Sequence, residues 1–153
     1  MGGGFAGLEN NGMAIQHASP ALQADKCIVL TAVQNNGNAL RFVAHPRQAD
    51  RKIVWAAIQQ DGFSLGHAAA DIRADKDMVL EAVKNCGLAL RFATTSLRES
   101  RTIVVPAVQQ DSCAIRYAGL ALQKDPDILA LANRRTSKLD DGNRQLKRSR
   151  AAM

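Results

Sequence analysis

The fold can be worked out from the segment Asp75-Lys76-Asp77-Met78-Val79-Leu80-Glu81-Ala82-Val83-Lys84-Asn85-Cys86-Gly87-Leu88-Ala89-Leu90-Arg91-Phe92-Ala93. Asp75 is a short acceptor side chain just before an apolar run, which is typical of a helix N-cap. The apolar residues after it recur with helical spacing. Gly87 is the residue type that ends a helix in a left-handed conformation. The shorter apolar set from Ala89 to Ala93 predicts a second helix of about two turns.

This pattern recurs every 25 residues along most of the chain. The predicted N-caps are Asp25, Asp50, Asp75, Ser100 and Asp125, and the predicted glycine turns are Gly12, Gly37, Gly62 and Gly87. A fixed period of this length indicates repeated supersecondary units that bury their apolar faces against one another. We therefore expect an all-α array of short helical hairpins, similar to an α-solenoid. A single globular helical bundle is the alternative that the same pattern allows.

The pattern also divides the chain into three parts. Residues 1–11 correspond to an incomplete first repeat, because the consecutive glycines near Met1 oppose helix formation. Residues 12–133 form the repeat array. Residues 134–153 are polar, charged and without periodicity, so we predict a basic, disordered tail.

A family resemblance accompanies this interpretation. Residues 80–93, with Ala82-Val83 followed by Gly87 and then by Ala89-Leu90 and an aromatic residue, resemble the repeat of the domain of unknown function 4116. Residues 30–43 match that repeat equally well and residues 55–68 nearly so. The resemblance covers roughly residues 12–132 as about five degenerate copies. It implies a helical repeat without an assigned activity, so no functional residues can be carried over.

The copy that begins at Ser100 departs from the family pattern. Serine replaces the aspartate cap, Pro106 lies inside the predicted first helix, and Asp111-Ser112 replaces Asn-Gly. Because proline removes a helical hydrogen bond and crowds the preceding turn, we expect this copy to be the least stable part of the array.

The charge of the chain is concentrated at its C-terminal end. The formal net charge is +6, and seven basic residues against two acidic ones lie from Asn133 onward. The predicted array is therefore close to neutral. A basic tail of this kind makes nucleic-acid binding a possible function of the tail rather than of the array.

Composition also bounds the location of the protein. No apolar run reaches membrane-spanning length, and the first residues lack a secretory signal. Cys27, Cys86 and Cys113 fit no metal-binding spacing. We expect reduced thiols in an intracellular, cytoplasmic protein without cofactor, metal, membrane or small-molecule ligand; a redox pair between Cys86 and Cys113 is the alternative.

Two rows of polar residues are the candidate partner surface. They occupy outward positions late in the first helix and within the second helix of each repeat. The row residues are Gln34, Gln59, Lys84 and Gln109, and Arg41, Arg91 and Arg116. Repeat proteins use such rows to bind partners, whereas a merely solvated face is the alternative.

Two further repeated positions have a structural interpretation. Lys26, Arg51, Lys76 and Arg101 follow the caps, and we expect each to pair with an aspartate of a neighbouring copy. A basic stripe that faces a ligand is the alternative. His17, Phe42, His67, Phe92 and Tyr117 share one position, which predicts a largely buried aromatic site.

No catalytic triad, phosphate-binding loop or metal motif can be recognised, so we expect no enzymatic activity. The function that the sequence favours is a protein-interaction scaffold with an unidentified protein partner. Nucleic-acid binding through the basic tail and the arginine row is one alternative. A non-catalytic fragment of a larger enzyme is the other.

Overall fold

The computed structural model describes Gly7, residues 11–134 and Arg150. Within these residues the secondary structure is helical and contains no β-strand, so the predicted all-α class is confirmed. Most of the predicted incomplete repeat at residues 1–11 and of the predicted tail at residues 134–153 lies outside the described residues.

Each complete repeat contains a ten-residue long helix, a six-residue 3₁₀ helix and a four-residue short helix. We number the repeats 1 to 4, over residues 25–49, 50–74, 75–99 and 100–124. The long helices are Lys26–Asn35, Arg51–Gln60, Lys76–Asn85 and Arg101–Gln110; the 3₁₀ helices are Gly37–Phe42, Gly62–His67, Gly87–Phe92 and Ser112–Tyr117; the short helices are His45–Gln48, Ala70–Arg73, Thr95–Arg98 and Leu120–Gln123. The 3₁₀ helix Gly12–His17 and the helix Pro20–Ala24 precede repeat 1, and a helix over residues 126–134 follows repeat 4.

The pair of helices predicted for each repeat is present, with two differences. The second helix has 3₁₀ rather than α geometry: the Ala89 N–H donates to Cys86 O and the Ala93 N–H to Leu90 O, both three residues back. Six residues is long for a 3₁₀ helix, which is usually found in pieces of about three or four residues. The second difference is that the connection to the next repeat contains the short helix.

Packing follows the order of the repeats. Each long helix packs on the 3₁₀ helix of its own repeat, on the 3₁₀ helix of the preceding repeat and on the neighbouring long helices. The core side chains, among them Val79, Val83 and Leu90, are fully buried. The closely packed element pairs in the described residues lie within one repeat or in consecutive repeats, as in a linear array.

The backbones of consecutive repeats are also joined directly. The Ala69 N–H donates to Gln48 O at 2.9 Å, and the Thr94 N–H donates to Arg73 O at 3.2 Å. The same bond recurs at the corresponding positions of the other boundaries. It fixes each short helix against the one before it, which keeps the repeats in register.

The glycine turns have a different role from the predicted one. None of the described residues, glycines included, has a positive φ, so the prediction of left-handed helix ends is wrong. A Cβ on Gly62 would lie 2.5 Å from the carbonyl oxygen of Ala82, in the long helix of the next repeat. Gly12, Gly37 and Gly87 face Ala32, Ala57 and Ala107 in the same way. Glycine is required here because two backbones approach closely.

The residue before the glycine position caps the 3₁₀ helix in every described unit except repeat 3, where Cys86 makes no capping bond. The side chain of Asn36 accepts a hydrogen bond from the Asn38 N–H at 3.0 Å, and Asp61 accepts one from the Phe63 N–H at 2.9 Å. Asn11 and Asp111 do the same in their units. Asp111 therefore makes a regular cap although the Asn-Gly pair is lost in repeat 4.

Candidate functional site

The predicted aspartate caps are present with a common geometry. Oδ1 of Asp75 accepts hydrogen bonds from the Asp77 N–H at 3.0 Å and the Met78 N–H at 3.1 Å. Asp25, Asp50 and Asp125 accept the two corresponding bonds. These bonds satisfy backbone donors that have no partner inside the helix.

The predicted cap at Ser100 is the exception. Ser100 occupies the N-cap position, but its side chain makes no capping bond. Its Oγ lies 2.9 Å from Oγ1 of Thr102, which gives the hydroxyl another partner. The prediction of a side-chain cap at Ser100 is therefore wrong.

The second carboxylate oxygen of the cap binds the preceding repeat. Nζ of Lys26 lies 2.8 Å from Oδ2 of Asp50, and ion pairs also join Arg51 to Asp75 and Arg101 to Asp125. The expected pairing between neighbouring copies is thus present at these three boundaries. At the boundary between repeats 3 and 4 the equivalent positions are Lys76 and Ser100, and serine has no carboxylate to pair with the lysine.

The carboxyl groups of these pairs have lowered pKa values. The hydrogen bond from Lys26 lowers the pKa of Asp50. Burial by itself would raise the pKa of Asp75, but hydrogen bonds from the Met78 N–H and from Arg51 outweigh it, so the pKa is lowered. Both carboxylates are charged at neutral pH and hold adjacent repeats together.

A second set of contacts between repeats comes from the last residue of each long helix. Oδ1 of Asn85 accepts a hydrogen bond from the Gly62 N–H at 3.3 Å, while its Nδ2 donates to Gln59 O at 3.0 Å. Gln110 bonds repeat 3 in the same way. Sequence reasoning missed this function, although Asn35, Gln60, Asn85 and Gln110 are all amides at one repeat position.

The seven residues of the predicted partner surface are all exposed. This holds for Gln34, Gln59, Lys84 and Gln109, and for Arg41, Arg91 and Arg116. The positions next to them, such as Val83 and Leu90, are buried. The helix phase that placed these rows on the surface is therefore correct, and the rows are available for contact.

Two arginines of the second row, Arg41 and Arg91, lie against aromatic rings. Cζ of Arg41 is 4.9 Å from the centroid of the Phe42 ring. Cζ of Arg91 is 5.1 Å from the centroid of Phe92 and 5.8 Å from that of Tyr117, in the next repeat. A guanidinium over a ring gains cation–π attraction and keeps its N–H groups directed to the side.

Repeat 2 interrupts the arginine row. A Cβ on Gly66 would lie 2.7 Å from Cε1 of Phe92, so the ring of the next repeat uses the space that a side chain would need. Phe92 also packs edge to face on Phe63, with ring centroids 5.6 Å apart. Beside them, burial and the charge of Arg41 lower the pKa of His67. Repeat 2 thus contributes an imidazole instead of an arginine.

We use the name arginine–aromatic strip for the surface formed by Arg41, Phe42, His67, Arg91, Phe92, Arg116 and Tyr117. The prediction that the aromatic position is largely buried is confirmed at four of its five residues. Its phenylalanines, Tyr117 and His67 have less than half of their surface exposed, and His17 is exposed. The 3₁₀ helix is too short to cover these rings on both sides, so each keeps an accessible edge.

One comparison with known proteins identifies the family. The sequence model described as domain of unknown function (DUF4116) matches residues 6–45 and 75–123, which is more than half of the chain. The chain belongs to the DUF4116 family. Residues 46–74 lie between the matched regions and nevertheless contain the same helices. Neither the curated proteins nor the solved structures contain a match to this DUF4116 chain.

Other surface features of the DUF4116 array offer less to a ligand. Arg51, Lys52 and Trp55 line a shallow depression of about 260 Å³, and a second one of about 360 Å³ lies at the helix over residues 126–134. Across the described residues, no cluster of three or more His, Cys, Asp or Glu side chains is arranged to hold a metal ion. The three cysteines are free thiols.

None of the helices in the described part of the chain is both long enough and apolar enough to cross a membrane.

Proposed function

We propose that this DUF4116 chain is a non-catalytic α-solenoid scaffold that binds another protein through its exposed rows. The observation that carries the proposal is the arginine–aromatic strip. Its arginines occupy one repeat position in repeats 1, 3 and 4 and are exposed, and the guanidinium groups of Arg41 and Arg91 lie against aromatic rings.

Two other sets of repeated polar positions already have structural partners. The aspartate caps and the cations beside them join consecutive repeats, and the amides at the ends of the long helices satisfy glycine N–H groups. By contrast, among residues 11–134 the side chains of Arg41, Arg91 and Arg116 belong to none of the ion pairs. Their N–H donors are free to bind a partner.

The limited accessibility of the aromatic faces favours a protein partner over a nucleic acid. Nucleic-acid bases stack on aromatic faces that are accessible. In the arginine–aromatic strip, Phe42, Phe92 and Tyr117 are half-buried and have a guanidinium over one face. Nucleic-acid binding stays a second candidate because of the basic residues that follow Arg134 in the sequence.

Affinity capture with the full chain tests the scaffold function. A variant with Arg41→Ala, Arg91→Ala and Arg116→Ala should lose a protein partner that the wild type captures. The control replaces Lys52, Lys76 and Lys124, which removes the same charge from exposed positions outside the strip. If the arginine replacements left capture of the partner unchanged, the proposal would be refuted. If nuclease treatment abolished capture, the chain would be binding nucleic acid rather than a protein.

A further inference from the structure

The arginine–aromatic strip presents its groups at a regular interval. The 3₁₀ helices of consecutive repeats pack directly on one another, and packed helices lie about 8–10 Å apart. Arg91 and Arg116 occupy the same position in repeats 3 and 4, so we infer that their backbone positions are about 8–10 Å apart. Arg41 lies two intervals from Arg91, because Gly66 occupies the position in repeat 2.

This interval matches the polyproline II conformation of an extended peptide. A polyproline II helix has three residues per turn and rises about 3.1 Å per residue, so every third side chain points the same way about 9 Å further on. In a β-strand the third residue points to the opposite face, and the second lies only about 7 Å away. Polyproline II is therefore the extended conformation whose repeat fits the strip.

The rings supply apolar contact beside the arginines, through the part of each ring that stays exposed and is not covered by a guanidinium group. Proline-rich segments in this conformation dock on grooves lined by aromatic side chains. Phe42, Phe92 and Tyr117 place one ring in each of repeats 1, 3 and 4, and each ring lies beside an exposed arginine. The alternation of ring and guanidinium suits a segment that alternates proline with acidic residues.

We propose that the arginine–aromatic strip binds an acidic, proline-containing segment of a partner protein in the polyproline II conformation, with carboxylates at every third residue. Two carboxylates three residues apart bind Arg91 and Arg116, and a third, six residues from the Arg91 ligand, binds Arg41. The guanidinium groups can hold the carboxylates through paired N–H donors. This inference rests on the proposed scaffold function and names the chemistry of its partner.

A pair of synthetic peptides tests the spacing. One consists of three Glu-Pro-Pro units and a label, and the other has the same composition with its three glutamates consecutive at one end, so that no two of them are three residues apart. Fluorescence anisotropy with the full chain should show at least about tenfold tighter binding of the periodic peptide, since the isomer can satisfy one arginine at a time. Equal binding of the two peptides would overturn the proposal, because it would mean attraction to net charge alone.

Variants of the chain test the residues. Arg91→Ala with Arg116→Ala should weaken binding of the periodic peptide by at least about tenfold. Lys52→Ala with Lys124→Ala removes the same charge at exposed positions outside the strip and should change the Kd by less than about twofold. Arg91→Lys with Arg116→Lys keeps the charge but lacks the planar fork, so it should also weaken binding. Equal losses in the arginine-to-alanine and control variants would overturn the proposal.

Two outcomes separate this inference from the function on which it rests. A single-stranded oligonucleotide of equal charge that binds more tightly than the peptide, with the same dependence on Arg91 and Arg116, would overturn both. If instead the periodic peptide fails to bind while capture of a protein partner still depends on the strip, the peptide chemistry is wrong and the scaffold function stands.

Discussion

Replacement of Ser100 by aspartate should restore a contact that the array has at its other described boundaries. Asp50, Asp75 and Asp125 each cap their helix and bind a cation of the preceding repeat. Ser100 makes neither contact through its side chain, and Lys76 occupies the equivalent cation position in repeat 3. Ser100→Asp should therefore stabilise the boundary between repeats 3 and 4.

The size of the effect follows from its two parts. A side chain that caps a helix typically contributes about 1 kcal/mol, and an exposed ion pair contributes about 0.2–1 kcal/mol. The bond between Ser100 and Thr102 is exposed, so water can replace it. The free energy of unfolding should rise by about 1–2 kcal/mol in total.

Two matched variants separate the parts. Ser100→Asn has the same shape as aspartate and can cap, but it has no charge, so it should give the capping part alone. Lys76→Ala removes the cation, and in that background the aspartate and asparagine variants should be equally stable. Urea unfolding followed by far-ultraviolet circular dichroism measures all of them. The reasoning would be refuted if Ser100→Asp were no more stable than the wild type. It would also be refuted if the gain in the free energy of unfolding were the same with and without Lys76→Ala.

Four further predictions concern single positions. Pro106→Ala should stabilise the chain by up to about 3 kcal/mol, and amide exchange should show slower opening of repeat 4; a destabilised variant would mean that packing requires the proline. Ser64→Ala should stabilise by about 1 kcal/mol in urea unfolding, because the buried Ser64 hydroxyl has no hydrogen-bond partner within the described residues; a loss would reveal a partner. Leu90→Ala should cost about 2–5 kcal/mol, since Leu90 is fully buried, whereas Arg91→Ala should cost less than about 1 kcal/mol; equal costs would contradict the helix phase. Because the pKa of Asp50 is lower in the folded chain than its ordinary value of 3.8, the ionised carboxylate stabilises the fold above that value. The free energy of unfolding should therefore fall as the pH drops through the folded pKa, and this fall should be smaller in a Lys26→Ala variant.

Local features were predictable from the sequence, and contacts between repeats were not. The caps and apolar faces depend on residues three or four apart, so Asp75 and Leu90 could be placed correctly. The function of Gly62 depends on a carbonyl 20 residues later, in another helix. The amide of Asn85 likewise acts on the preceding repeat. Neither relation has a local signature, so only a comparison of equivalent positions could have suggested it.

The candidate site was predictable in part for the same reason. Exposure of the two rows follows from helix phase, which the sequence contains. The position of Arg91 over the rings of both Phe92 and Tyr117 depends on how repeats 3 and 4 stack. The loss of the arginine at Gly66 is explained only when the Phe92 ring is seen above it.

The proposed site crosses the boundary between repeats 3 and 4, where Ser100 makes neither the side-chain cap nor the ion pair found at the boundaries on either side. In addition, Pro106 removes a helical hydrogen bond inside repeat 4. Arg91 and Arg116 lie on opposite sides of this boundary. A partner that binds both arginines links the two repeats. It binds only when the repeats are stacked, so its binding free energy stabilises the stacked arrangement. Stacking and binding are thus coupled at this boundary, and an ion pair restored at Ser100 favours the arrangement that the partner requires.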